Sequence, residues 1–382
     1  MKVSMARVRL FLKEGKTLAD GSHPIMLSVA FNGKCTRSTG YSCTSKFWDK
    51  KSESVKRGYP NFSMINFEIQ KLKNEVISSR NDYERSGEPY TAQMLLKPRK
   101  VLSIRVGILR FVEDGLLKLD DKLGTLLDID LKGIDPDVTV EQLLTHTSGV
   151  PDYFDETVMN DYEELWKDHP SYKIRKNSDL VPLFIDKPMM YPRGGKFRYN
   201  NTGYVLLAMI IEKISGMDFD VYLKKNIFDV CDMKSTGYFE LDKLPSKCAH
   251  NYIYCEETKD YRTNIYSVGA KGTGDGGAFV TAGDLVNFWQ GLIGHKILSE
   301  ESFGKMISKR SGDGNDPEEG YYGYGVWIID NPEGNDYAYM QGCDPGVSAV
   351  AGYDPDNGTI TVLLSNYCDN VWALLRKIRK LT

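Results

Sequence analysis

A change of chemistry near residue 98 divides this 382-residue chain more sharply than any other feature. Residues 1–99 carry 18 Lys/Arg against 9 Asp/Glu, and the remainder carries 31 against 43, so a net charge of −3 conceals a basic part and an acidic part. The length exceeds what one hydrophobic core ordinarily serves, and the charge step marks where a boundary should fall. Two domains are therefore expected, residues 1–98 and 99–382. A hydrophobic content of 41% is that of a globular chain rather than a disordered one. A surplus of positive charge confined to the first part equips it to face a polyanion.

Seven cysteines are scattered without metal-ligand spacing, and an odd number does not close a disulfide framework. Reduced thiols fit that pattern. The five histidines form no helix-spaced pair joined by a third ligand, so neither a metal nor a cofactor is expected. Charge resumes within the first ten residues before any apolar core of signal-peptide length, and no run approaches 18 uncharged apolar residues. A cytoplasmic location without a membrane span is the expectation. No pattern specifies an oligomeric state.

In the basic part, Val8 to Leu12 alternates as a strand, Pro24 to Phe31 reads as a second, and Asn32-Gly33 is a hairpin turn into a third over Lys34 to Thr39. Apolar residues at 69, 72, 76 and 77 predict an amphipathic helix from Asn66 to about Tyr83. The three-stranded sheet with its trailing helix resembles the N-terminal arm DNA-binding domain of Bacteroidetes-type phage integrases, over residues 6–95. In that family the small sheet presents basic residues to DNA, and the resemblance implies Arg7, Arg9, Lys34 and Arg37 as the contacts here. Nothing after residue 100 resembles a recombinase catalytic domain.

In the acidic part, Ile104 to Glu113 reads as a helix. Thr139 and Gln142 form a capping box for a short one, which Gly149 and Pro151 end. Tyr204 to Ser215 is a long apolar helix, Phe219 to Ile227 an amphipathic one, and Thr281 an N-cap. Strands are expected at Gly325 to Ile329, Ser348 to Gly352 and Thr359 to Ser365, the last two as an antiparallel hairpin. A helix begins at Leu374. Three runs, Leu143 to Gly149, Phe197 to Tyr204 and Gly274 to Leu285, resemble in order the motifs of the penicillin-binding-protein and class C β-lactamase family of serine hydrolases. The resemblance covers about residues 102–380. It implies an α/β (α+β) fold, a transpeptidase-like sheet with a helical lobe, preceded here by the small sheet-plus-helix module. Either that module stands apart, or residues 24–39 supply strands that the larger sheet lacks.

Such a hydrolase requires a hydroxyl nucleophile, a base, a proton relay and an oxyanion hole. In the resembled family a Ser-x-x-Lys pair one helical turn apart supplies the first two, and a Tyr-x-Asn motif relays protons and binds the substrate amide. Tyr199 and Asn201 match Tyr-x-Asn, with Asn200 where serine is usual. His146 is expected to be a structural residue beneath the site. The third element, usually Lys/His-x-Gly on an edge strand, corresponds to Gln341 to Val347. Gly342, Cys343, Asp344 and Gly346 are the substrate-binding candidates there, with Cys343 in place of the cation and Pro345 in place of the glycine.

The first motif is missing. Its serine and lysine should fall near positions 98 and 101, which are Pro98 and Val101. Ser103 is the nearest hydroxyl and the serine candidate for the nucleophile. The chain's sole Ser-x-x-Lys, Ser302 to Lys305, follows the tyrosine motif in what reads as a peripheral helix. The resemblance thus implies a β-lactamase/D-Ala-D-Ala carboxypeptidase-type domain that is impaired or inactive, still facing a peptide or β-lactam-like small molecule. The alternatives are an active hydrolase using Ser103 or Cys343, and a DNA-binding protein acting through its basic module.

Overall fold

The alternating run near the N-terminus forms strand β1 (Arg7–Leu12), which pairs antiparallel with β2 (His23–Ala30); β2 pairs in turn with β3 (Lys34–Cys43). The computed structural model describes residues 5–31, 34–86, 92, 104–155, 158–159, 161–312, 320–367 and 371–379. It resolves into two units, Met1–Arg99 and Lys100–Thr382.

In the first unit the two-residue period puts Val8, Leu10, Leu12, Ile25, Leu27 and Val29 on one face, where they share a core with Ile65, Ile69 and Val76 of helix α1 (Phe62–Ser86). A two-stranded ribbon, β4 (Trp48–Asp49) with β5 (Ser54–Val55), adds buried Trp48 and Val55 to that core. The helix begins four residues earlier than the sequence predicts. The Asn66 side chain does not cap it, but clamps β5 instead, accepting from Val55 N at 2.7 Å and donating to Val55 O at 2.8 Å. The three strands form a sheet of their own, so residues 24–39 do not complete the larger one.

The second unit is built on a five-stranded antiparallel sheet in the order β12-β11-β10-β9-β8, from β8 (Tyr321–Tyr322), β9 (Trp327–Ile329), β10 (Tyr337–Asp344), β11 (Val347–Asp354) and β12 (Thr359–Ser365). Alternation along β10 sends Tyr337 and Tyr339 to one face, against Val371 and Leu375 of the last helix, Val371–Arg379. Ala338 and Ala351 face the other side and join the main core with Trp289 of helix Ala282–Ile293. Helices therefore cover both faces.

Beside the sheet lies a helical lobe: α2 (Ile104–Glu113), α3 (Val140–Leu144), α4 (Asn201–Ser215) and α5 (Phe219–Leu223). The Thr139–Gln142 capping box is present at α3, with both reciprocal bonds formed. Nine residues of α4 are buried, as its apolar sequence requires.

A hairpin, β6 (Tyr252–Cys255) and β7 (Asp260–Thr263), lies outside the main sheet. Its Tyr252 backbone presses on the β10–β11 turn. There Pro345 and Gly346 occupy the two corners, with Gly346 at φ 79°, and a Cβ on Gly346 would sit 2.9 Å from Tyr252 N. Proline then glycine is the residue pair of a type II turn.

Candidate active site

A cleft of about 1550 Å³ opens between the end of β10 and the helical lobe. Its first wall is the N-terminus of α4. Asn200 is the N-cap, accepting from Gly203 N at 2.8 Å, while its amide donates to Val150 O at 2.8 Å. The residue in the middle of the Tyr-x-Asn motif thus holds the wall together and is itself buried. Asp152 does the same from the other side, accepting from Asn201 N at 2.9 Å and from the amide and hydroxyl of Thr202 at 3.2 Å each. Burial pushes the Asp152 carboxyl up to about 7, against the N–H bonds that favour its charged form.

These anchors fix the two residues that face the cleft. The Asn201 amide donates to Phe154 O at 3.3 Å. Tyr199 is 39% exposed, stacked on Trp327 with ring centroids 6.0 Å apart and planes 13° apart. His146 lies beneath, its ring 4.4 Å from that of Tyr199 and 5.0 Å from that of Tyr204. It is buried, accepts from Asn200 N at Nδ1, and burial lowers its pKa to about 3. The imidazole is enclosed and neutral beneath the Tyr199 ring.

The second wall is the end of β10. This strand pairs with β9 only over Tyr337–Tyr339 but with β11 over Ala338–Asp344, so residues 340–344 are paired on one side only. An interior strand therefore supplies the edge that the sequence leads one to expect. Gly342, Cys343 and Asp344 line the cleft, and Cys343 is exposed. Gly346 sits at the turn, against Tyr252.

The remaining lining was not legible in advance. Asp275, on the turn after Gly274, is partly buried, and the desolvation of its carboxyl raises its pKa; it accepts from Thr273 Oγ1 at 2.6 Å and from the Tyr153 hydroxyl. The Tyr153 and Tyr162 hydroxyls are 3.1 Å apart, and burial raises both phenols well above their ordinary range. An aspartate within a glycine-rich run was the available signal. Gly274 is needed there because a Cβ would lie 2.5 Å from both Tyr204 O and the Ala208 side chain.

Ser103, Pro98 and Val101 lie outside the described residues. Ser302 and Lys305 sit on the helix Glu300–Met306, where Ser302 N donates to Ser299 Oγ at 3.1 Å and Lys305 pairs with Glu301 at 2.7 Å; neither lines the cleft. Among the described residues no group of three or more His, Cys, Asp or Glu side chains could hold a metal ion.

Residues 101–373 match the family described as Beta-lactamase. The chain belongs to the beta-lactamase family. Residues 10–96 match the Arm DNA-binding domain, so a beta-lactamase domain here follows an arm-type module. Penicillin-binding protein 4* of Bacillus subtilis is 32% identical over 279 residues, covering 68% of this chain and 58% of that protein. The chain thus spans little more than half of that relative. A putative penicillin-binding protein, PbpX, of the same organism is 26% identical over 82% of this chain and 72% of its own length. A penicillin-binding protein from Bacillus halodurans superposes with a TM-score of 0.69 at 39% identity, covering 73% of this chain and 83% of that one. No helix among the described residues of the beta-lactamase unit or the arm-type module is long and apolar enough to cross a membrane.

In the arm-type module, Arg7, Arg9 and Lys34 are exposed on the sheet face opposite α1. Arg37 is not with them. It pairs with Leu27, whose side chain is in the core, and so belongs to the helix-packed face, half-buried at its margin.

Proposed function

We propose that the beta-lactamase unit binds a peptide or β-lactam-like small molecule in its cleft and does not turn it over. The observation that carries this reading is the sequence, which has Pro98 and Val101 where the nucleophile and its lysine are expected, taken together with a Tyr199–Asn201 wall whose buried supports are in place. Proline offers neither nucleophile nor N–H, and valine offers no base. A wall that positions an amide-binding asparagine serves recognition whether or not a serine stands opposite.

The test treats the full chain with a fluorescent penicillin and a fluorophosphonate, reads covalent labelling by intact mass, and in parallel measures equilibrium binding of a D-Ala-D-Ala peptide. No adduct is expected, with binding that Asn201→Ala weakens. Stoichiometric acylation of any residue, Ser103 and Cys343 included, would replace this reading with that of an active hydrolase.

A second reading concerns the arm-type module, and it rests on three cations, Arg7, Arg9 and Lys34, lying on one exposed sheet face. That face would meet the phosphates of duplex DNA. A gel shift at low salt that leaves the duplex unretarded removes it.

A further inference from the structure

The floor of the cleft holds a cation that the sequence motifs do not account for. Arg105, in the first turn of α2, lines the cleft together with Tyr199, Tyr204 and Tyr322. One of its guanidinium N–H groups donates to Gly325 O. Gly325 makes room for it: φ there is 79°, and a Cβ would lie 2.5 Å from Arg105 Cδ and 2.8 Å from the Tyr204 hydroxyl. The arginine stem is therefore seated by the backbone, and no second acceptor among the described residues meets the remaining N–H groups of the fork.

No carboxylate among the described residues pairs with Arg105. Asp275 is bonded to Tyr153 and Thr273, and Asp152 to the N-terminus of α4. The Tyr322 and Tyr204 hydroxyls are bonded to each other at 3.4 Å, and Tyr204 donates onward to Leu144 O. Other cleft cations differ: Lys271 is paired with Asp220 at 2.8 Å, Lys234 with Asp232 at 2.9 Å, and Lys247 is exposed. Arg105 is partly buried. A guanidinium in a sheltered, tyrosine-lined part of the cleft, with no counter-ion among the described residues, is arranged for an anion from outside, and its planar fork matches a carboxylate bidentately.

We propose that Arg105 forms a carboxylate-binding subsite on the cleft floor, which takes the acid group of a small ligand whose flat or apolar body lies against the surrounding aromatic rings. It places the anion-recognising charge on α2 and not on the β10 edge, where Cys343 stands. The subsite shares its cleft with the binding reading above and names the chemistry of the ligand.

Benzoate and benzamide, equal in shape and different in charge, separate the claim from general binding in the cleft. The full chain is labelled on arginine side-chain nitrogen and titrated with each, following the Nε–H signal that disappears in Arg105→Gln. Benzoate should move that signal saturably and bind roughly tenfold or more tightly than benzamide, the size expected for a charge-assisted contact. Arg105→Gln should bind the two equally, and Arg105→Lys should keep a reduced preference for benzoate; the lysine variant carries the test if the glutamine variant fails to fold. Equal binding of the two probes by the unsubstituted chain, absence of benzoate binding, or a preference that survives in Arg105→Gln would overturn the proposal. Peptide binding without benzoate discrimination would leave the binding reading standing and remove this one; the reverse result would do the opposite.

Discussion

The backbone N–H of Asn200 donates to Nδ1 of His146 across 3.1 Å, so the middle residue of the Tyr-x-Asn motif and the histidine of the Leu143–Gly149 run lock together beneath Tyr199. The bond requires an unprotonated Nδ1. The neutral ring therefore carries its proton on Nε2, which has no hydrogen-bond partner among the described residues. Burial lowers the pKa to about 3. In an NMR titration the His146 imidazole should stay neutral from pH 8 to pH 5. A midpoint near 6.5, where a solvated histidine titrates, would show that the ring is not enclosed as described.

Asp152 reverses that pH dependence. For His146 the folded value lies below the unfolded one, so its contribution to stability is full above about pH 6.5 and is lost as pH falls toward 3. For Asp152 the folded value, about 7, lies above the ordinary 3.8, so its contribution is full below 3.8 and is lost as pH rises to about 7. Between pH 4 and 6.5 the two slopes oppose each other. Asp152→Asn removes one of them, and urea unfolding of that variant should become more acid-sensitive by about 1.4 kcal/mol per pH unit over this window. An unchanged slope would mean that the Asp152 carboxyl is ionised throughout.

Asn200 joins a helix cap to a buried tether. Asn200→Ala removes the acceptor for Gly203 N and strands the carbonyl of Val150, at a cost of about 1 kcal/mol for each, so a loss near 2 kcal/mol is expected in chemical unfolding. Asn200→Ser keeps a capping oxygen and loses only the tether, so roughly half that loss is expected. Equal losses in the two variants would show that the cap contributes nothing.

Much of this arrangement was written locally. Alternation placed β1, the Asn32-Gly33 turn placed β2 and β3, and the capping box placed the start of α3 to the residue, though the helix ends at Leu144, before Gly149; each depends on neighbours in sequence. The rest depends on distant partners. Asn66 begins no helix because Val55 holds its amide, and residues 340–344 become an edge only because β9 reaches no further than Trp327, opposite Tyr339. Arg105 reads as an ordinary helix residue until Gly325, 220 positions away, is brought against it. Asp152 and Asp275 look like loop aspartates, and only the packing around them removes the solvent.

The same limit applies to the four basic residues of the arm-type module, which sequence cannot sort but register can. Arg7 is opposite Ala30, and Ala30 opposite Lys34; Arg9 is opposite Ser28, and all three cations point away from α1. Arg37 is opposite Leu27, whose side chain is buried against the helix, so it reaches solvent only at the rim of the other face. If the exposed face lies on duplex DNA, each of its cations that displaces a counterion contributes about one to the log–log slope of affinity against salt. Replacing Arg7, Arg9 or Lys34 by alanine in the full chain should lower that slope by about one and weaken binding equally across sequences. Arg37→Ala should leave the slope where it was and act, if at all, on the stability of the module. Fluorescence anisotropy between 50 and 200 mM salt, roughly the range over which such contacts separate, checks all four. A slope that falls with Arg37→Ala and not with Arg9→Ala would put the DNA on the opposite edge of the sheet.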